Sequence, residues 1–266
     1  MRKLTIKPTP FWRPGKTKGS LFKLTPLVLL LLVWQLGSRV ASPGMLPSPL
    51  AVLSILGAEA RSGALFLNLA ITLVRVAASF TLAMVLGTLL GVAMGYNKTI
   101  DRLCDPLLIV LLNLPALVVI VLAYIWIGLN EAAAIGAVTL NKLPNTAVIL
   151  REGTRALDKS LDEMARVFGL PLGEKVRHVV LPQLAPYFAA AMRSGLSLVW
   201  KIVLVAELLG RSNGIGFEIG IAFQLFDVTR LLAYALPFVG LMLAIETFLV
   251  QPFERHISRW RRPHGT

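Results

Sequence analysis

SLDEMARVFGLPLGEKVRHVVLP, residues 160–182, is a polar and charged stretch inside a chain that is otherwise largely apolar. Ser160-Leu161-Asp162-Glu163 reads as a capping box, in which the Ser160 side chain accepts from the Glu163 amide while Glu163 reaches back. Leu157, Leu161, Met164, Ala165 and Phe168 then recur at helical spacing on one face. Gly169 stands where a left-handed C-cap is wanted, and Pro171 prevents the same helix from continuing. A second short helix is predicted over residues 172–180, ending at Leu181-Pro182. The stretch therefore reads as helix, sharp turn and helix, lying outside a membrane between two spans.

The surroundings supply the membrane. The 266 residues are 56% hydrophobic and 15% charged, with mean hydropathy +0.72, against about 25% charged in a soluble domain. That length suffices for about six helical spans of roughly 20 residues each, giving an all-α polytopic protein. The net charge of +13 does not point to nucleic acid, because Lys and Arg cluster in the short segments that flank the spans. The lone Cys104 excludes an internal disulfide and any multi-cysteine metal site, and the scattered His178, His256 and His264 give no reason to expect a metal.

Outward from the polar stretch, spans are predicted at residues 21–40, 65–96, 103–128, 132–150, 185–209 and 229–250. Residues 1–23 form a basic arm in which Gly15-Lys16-Thr17 only imitates a phosphate loop: Pro10 stands where the motif's first glycine belongs, and no strand precedes it. No other nucleotide-binding loop is present, so any ATP must be hydrolysed by another chain. A cleaved leader is the alternative reading of the first apolar run, disfavoured by its length and by the spans that follow. An amphipathic piece covers residues 50–61 on the outer side. Ala83, Gly87, Gly91 and Gly95, four apart in the second span, let helix backbones approach closely, either within one subunit or between two. Arg75 in that span must snorkel or pair.

Asn113-Leu114-Pro115 and Asn141-Lys142-Leu143-Pro144-Asn145 interrupt the third and fourth spans at similar depth. Such Pro-broken polar segments either line a transport cavity or are plain kinks. Arg193, Ser197 and Lys201 share one face of the fifth span. Facing lipid there would cost Lys201 about 2.5–3.5 kcal/mol, so it is expected inside, either paired with Glu207 or Glu246 or placed along a solute route. Gly210, Gly214, Gly216 and Gly220 mark an outer turn or a docking surface. The predicted outer loops carry only Arg61, Arg211 and Arg230, so both termini and the polar stretch are expected in the cytoplasm.

Glu163, Ala165, Gly169, Val179, Leu181 and Pro182 match the pattern Glu-Ala-Ala, three residues, Gly, nine residues, Ile-x-Leu-Pro. The pattern is that of permease subunits of binding-protein-dependent ABC importers, and the chain resembles that family over residues 65–255. Met164 and Val179 depart from it but keep apolar character. Residues 48–53, Asp105-Pro106-Leu107 and Val205-Ala206-Glu207-Leu208 are closest to the nitrate/taurine/sulfonate branch.

The resemblance implies the fold of a type I importer permease in a bacterial inner membrane. Residues 1–23 would be a cytoplasmic arm, 24–64 the first span and outer loop, 65–255 the permease domain with its coupling segment at 157–182, and 256–266 a basic tail. It implies a second permease subunit in a homodimer, two ATPase subunits that bind ATP and Mg, an external solute-binding protein, surrounding lipid and no nucleic acid. The chain itself would be no enzyme and would hold no cofactor. Its coupling helix, with Ser160, Leu161, Glu163, Met164, Ala165 and Phe168, would dock in a groove of the ATPase. Lys142, Lys201 and Arg193 favour a small anion such as a sulfonate, taurine or nitrate. Heterocyclic vitamin precursors are the alternative solutes. An ion-gradient transporter would leave the cytoplasmic signature unexplained, and an integral membrane enzyme would need a cluster of reactive groups that the sequence lacks.

Overall fold

Short polar caps cut the apolar runs into helices. The computed structural model describes residues 20–42 and 44–252. The basic arm with Gly15-Lys16-Thr17 and the tail with Arg255, Arg259, Arg261 and Arg262 lie outside the described residues. Helix α1 (Ser20–Val40) leads to α2 (Pro49–Ser62), where Ser48 Oγ accepts from the Ala51 amide and Pro49 opens the helix. Gly63, at φ +82°, turns the chain into α3 (Ala64–Tyr96). Asn97 Oδ1 accepts from the Thr99 and Ile100 amides to start α4 (Lys98–Asn113), and α5 (Ala116–Ile127) follows. Asn130 Oδ1 accepts from the Ala133 amide to start α6 (Glu131–Arg155). Then come α7 (Lys159–Val167), α8 (Leu172–Lys175), α9 (Leu181–Gly210), α10 (Ile215–Gln224) and α11 (Val228–Ile245). There is no strand among the described residues.

Four stretches are long and apolar enough to cross a membrane: Ala64–Tyr96, Glu131–Arg155, Leu172–Gly210 and Val228–Val250. The α4–α5 pair makes a fifth if counted as one broken span, and Val28–Val40 within α1 is a shorter apolar helix. Leu82, Val85, Leu86 and Leu89 of α3 are exposed, as expected of a helix whose solvent on one side is lipid.

The centre is α3, α6 and α9, joined through Val76, Ala134, Ala137, Val138, Val199 and Val203. The small-residue stripe lies inside this chain. Ala83 is fully buried, a Cβ on Gly87 would stand 2.7 Å from Thr146 Cβ, and Gly91 and Gly95 meet Ala147 and Thr154 of α6. The stripe thus serves packing of α3 on α6, and of its two readings the contact between subunits is not the one seen.

Three prolines behave differently from expectation. At Pro115 the chain is not kinked but broken: α4 and α5 meet at 102°. Leu114 is extended at φ −73°, ψ 126°, as the residue before a proline prefers, and Pro115 itself stays extended. At Pro144 the predicted break is absent, since α6 runs through it with Pro144 buried. At Leu181-Pro182 the predicted helix end is also absent. A π turn, Val176–Val180, carries the chain directly into α9, with the Leu181 amide bonded to the Val176 carbonyl five residues back. The wider turn admits Pro182, which has no amide to donate. A second π turn, Glu246–Val250, ends α11.

Candidate functional site

At one end of the bundle the polar stretch forms α7 and its turn. Its cap is not Ser160. Asp158 Oδ1 accepts from the Ser160 amide at 2.8 Å and from Ser160 Oγ at 2.7 Å, so the helix begins earlier and the Ser160–Glu163 capping box does not form. A carboxylate is the stronger acceptor for the unpaired amides of a first turn. At the other end Gly169 is left-handed at φ +65°, with the Leu170 amide returning to the Ala165 carbonyl at 3.0 Å and the Gly169 amide to Arg166 at 3.0 Å. This is the six-to-one closure that a glycine at this position permits.

Ala165 is the one buried residue of α7. Leu161, Met164, Val167 and Phe168 are exposed, the last two at 85% and 75%, and Glu163 is exposed beside them. Val179 is buried in the π turn, while Leu181 and Pro182 are exposed. So the signature residues divide: Ala165 and Val179 hold the segment to the bundle, and Leu161, Met164 and Phe168 form an uncovered apolar face.

Two ties escaped the sequence reading. Gln183 Oε1 accepts from the Asp158 amide at 2.9 Å while Gln183 Nε2 donates to the Val179 carbonyl at 2.9 Å. One side chain of α9 therefore clamps the start of α7 to the π turn. Asp162 meets Lys175 Nζ at 2.5 Å and Arg166 at 3.3 Å, joining α7 to α8. The Lys175 ammonium holds the Asp162 carboxyl below the usual carboxylate range, and the bonds from Ser160 do the same for Asp158. Between α7 and the ends of α3 and α6 lies a cleft of about 470 Å³ lined by Tyr96, Arg155, Lys159, Glu163 and Gln183 among others. Only the sequence distance between Asp158 and Gln183 hid the clamp; a Gln just after a proline is no signal by itself.

The cavity candidates occupy two kinds of position. Lys142 is buried in the α3–α6–α9 core, donating to Asn145 Oδ1 at 2.7 Å, with Asn141 and Asn145 half-buried on α6. Arg193, Ser197 and Lys201 are exposed along α9. The expected burial of Lys201 is thus not found within this chain. Its ammonium lies 5.5 Å from the centroid of the neighbouring Trp200 ring and makes no ion pair with Glu207 or Glu246. Asn113 and Pro115 are exposed at the α4–α5 break, where Asn113 Nδ2 donates to the Ile109 carbonyl. Ser194 brings α9 to this group, its Oγ 3.4 Å from Asn145 Oδ1. Among the described residues no set of three or more His, Cys, Asp or Glu is placed to hold a metal.

Glu207 has another partner. At the end of the bundle opposite α7, Arg75 of α3 meets Glu207 of α9 at 2.7 Å and Glu131 of α6 at 2.6 and 2.8 Å. Its remaining donations go to Asn213, through the carbonyl at 2.9 Å and Oδ1 at 2.5 Å. Glu207 also accepts from Thr72 Oγ1 and the Gly216 amide, and Asn68 Oδ1 accepts from the Gly214 amide. Gly214 and Gly216 pack on Glu207 where a Cβ would collide, so the glycines hold α10 against this cluster. Arg75 pairs; it does not snorkel. The signal available in the sequence was an arginine and a glutamate each set deep in an apolar run.

Comparison with known proteins adds to this geometry. Residues 83–262 match the model of the family described as binding-protein-dependent transport system inner membrane component. A putative aliphatic sulfonates transport permease protein of Bacillus subtilis (strain 168) is 30% identical over 256 residues, covering 95% of this chain and 92% of its own. The taurine transport system permease protein of Escherichia coli (strain K12) is 25% identical, covering 96% of this chain and 94% of its own. Bicarbonate is the solute named for a Synechococcus elongatus permease protein that is 26% identical, covering 94% of this chain and 91% of its own. Among solved structures, a chain of the inward-facing MetNI methionine ABC transporter superposes with TM-score 0.60 at 20% identity, covering 71% of this chain and 93% of that one. A chain of an amino acid ABC transporter crystallised with histidines gives 0.61 at 20% identity, covering 76% and 97%.

Proposed function

The chain belongs to the family of inner membrane components of binding-protein-dependent transport systems, and from that premise we propose that α7 is the handle by which a separate ATPase drives solute import through it. The observation that carries the reading is the division of α7. Its Leu161, Met164, Val167 and Phe168 face away from the bundle, while Gln183 and Lys175 pin it to the root of α9. A helix whose apolar face has no cover within the chain is suited to a groove on another. A helix clamped to a membrane-spanning neighbour transmits displacement instead of absorbing it. When ATP draws two ATPase subunits together, α7 moves with its groove, and α9 moves with α7.

In this assignment the α7 end is cytoplasmic, as are both termini, and the Arg75 end faces the solute-binding protein. Two copies of the permease enclose the route, with Ser194, Ser197 and Lys201 of α9 turned toward it. Coverage by a second copy and water accounts for an exposed lysine on an otherwise apolar span. ATP and Mg belong to the ATPase. The solute is a small anion, in keeping with the sulfonate, taurine and bicarbonate named for the relatives and with the cations of α6 and α9.

The test is co-purification of the permease with its soluble ATPase, comparing wild type with Met164→Glu and Gln183→Met. Met164→Glu puts a charge on the exposed face and should abolish association. Gln183→Met leaves that face intact, so association should persist while ATP-driven uptake falls. An ATPase that binds Met164→Glu as well as wild type would refute the assignment of α7.

A further inference from the structure

Lys142 and Arg75 are both buried cations, at 1% and 3% exposure, and the fold treats them differently. Arg75 is given two carboxylates. Lys142 has, among the described residues, no carboxylate within 4.0 Å and a single hydrogen bond, donated to Asn145 Oδ1 at 2.7 Å. An ammonium carries three donors, and a buried charge without a counter-charge is costly. Lys142 instead lies against α9. It crosses α9 at Gly195, where an added Cβ would stand 2.9 Å from Nζ and still closer to the side-chain carbon before it. Beside that notch Ser194 is exposed, its hydroxyl 3.2 Å from the Ala191 carbonyl of its own helix and 3.4 Å from the same Asn145 oxygen. Asn145 is half-buried and spends its carbonyl on Lys142 and Ser194, keeping its amide donors. Ser197 and Lys201 continue the polar strip on α9, whose sole carboxylate, Glu207, is already bound by Arg75, Thr72 and Gly216.

We propose that Lys142, Asn145 and Ser194 form a coordination site for a small oxyanion in transit between α6 and α9. The Lys142 ammonium supplies the charge and, with the Asn145 amide, unspent donors; the Ser194 hydroxyl joins by turning its one O–H from Ala191 and Asn145 to the anion. A sulfonate, nitrate or bicarbonate offers three oxygens to such a donor set. Gly195 is the positioning residue, because only a missing side chain there lets the lysine reach the strip. The proposal rests on the import reading above and deepens it by naming where the solute is held.

The experiment is equilibrium dialysis of labelled methanesulfonate, nitrate and bicarbonate against the purified permease, alone and with its ATPase. Wild type should bind at least one of the three, with the other two competing. Lys142→Met should weaken that binding at least about tenfold. Asn145→Asp should weaken it as much by supplying an internal counter-charge, in a protein that keeps its lysine and its packing. Gly195→Ala, which displaces Lys142, should fall between. Unchanged affinity in both Lys142→Met and Asn145→Asp overturns the site, as does wild type that binds none of the three anions. Failure of the import reading is seen separately, as an ATPase that does not associate or whose hydrolysis is not stimulated by a loaded binding protein.

Discussion

Arg75→Met is the perturbation whose size the structure defines best. Arg75 is 3% exposed and Glu207 is fully buried, and the two meet at 2.7 Å. Methionine keeps the apolar stem and removes all five guanidinium donors, leaving Glu207 with Thr72 Oγ1 and the Gly216 amide but no cation. Stranding one member of a buried pair costs about 3–5 kcal/mol. Glu131 adds little to that, because its side chain is 50% exposed and keeps Arg211 at 2.6 Å. At roughly 2–4 °C per kcal/mol for a chain of this size, the midpoint of unfolding should fall by about 6–20 °C. The single Cys104 permits the assay, since a thiol-reactive dye in detergent reports its exposure as the bundle opens. Arg75→Met/Glu207→Leu removes both charges and should recover most of the loss. A single variant that melts within about 1 kcal/mol of wild type would refute the reasoning, and so would a double variant no more stable than the single.

Gly169→Val forces a β-branched residue to φ +65°, costing about 1–2 kcal/mol, and should loosen the end of α7. ATP hydrolysis by the assembled complex should then outlast solute uptake, so equal retention of both would contradict the handle. Gly91→Val drives a side chain into the Ala147 backbone of α6 and should destabilise by about 1–3 kcal/mol, read in the same dye assay; an unchanged midpoint would mean that α3 and α6 are not in contact there. Asp162 has its pKa lowered in the fold by Lys175, so the α7–α8 tie is fully present above the unfolded value of about 3.9 and is lost as pH falls through the lower folded value. Carboxyl-carbon NMR should show Asp162 titrating below an exposed reference aspartate, and Lys175→Met should raise that midpoint.

Pro115, Pro144 and Pro182 show where local reading stops. Each was expected to interrupt a helix. One breaks the chain by 102°, one lies inside an unbroken α6, and one enters α9 through a π turn. A proline removes one amide and crowds the turn before it, but whether the chain breaks, runs on or widens its turn is set by the packing around it. Asp158 displaced Ser160 as cap for a nearer reason: its carboxylate, two residues earlier, takes both the Ser160 amide and the Ser160 hydroxyl, so the helix starts before the capping box can form. Lys201 and Glu207 do not pair, because six positions along α9 turn their side chains to different faces and Glu207 is taken by Arg75.

The sequence by itself determined that the chain is built of apolar helices and that a polar segment with a left-handed Gly169 protrudes between them, because hydropathy and glycine φ are properties of a residue and its near neighbours. The pairing of Arg75 with Glu207 and Glu131, the notch that admits Lys142, and the clamp from Gln183 to Asp158 were decided only when α3, α6, α7 and α9 came together. Those contacts depend on the relative height and rotation of separate helices, and a shift of one residue turns a side chain through about 100°.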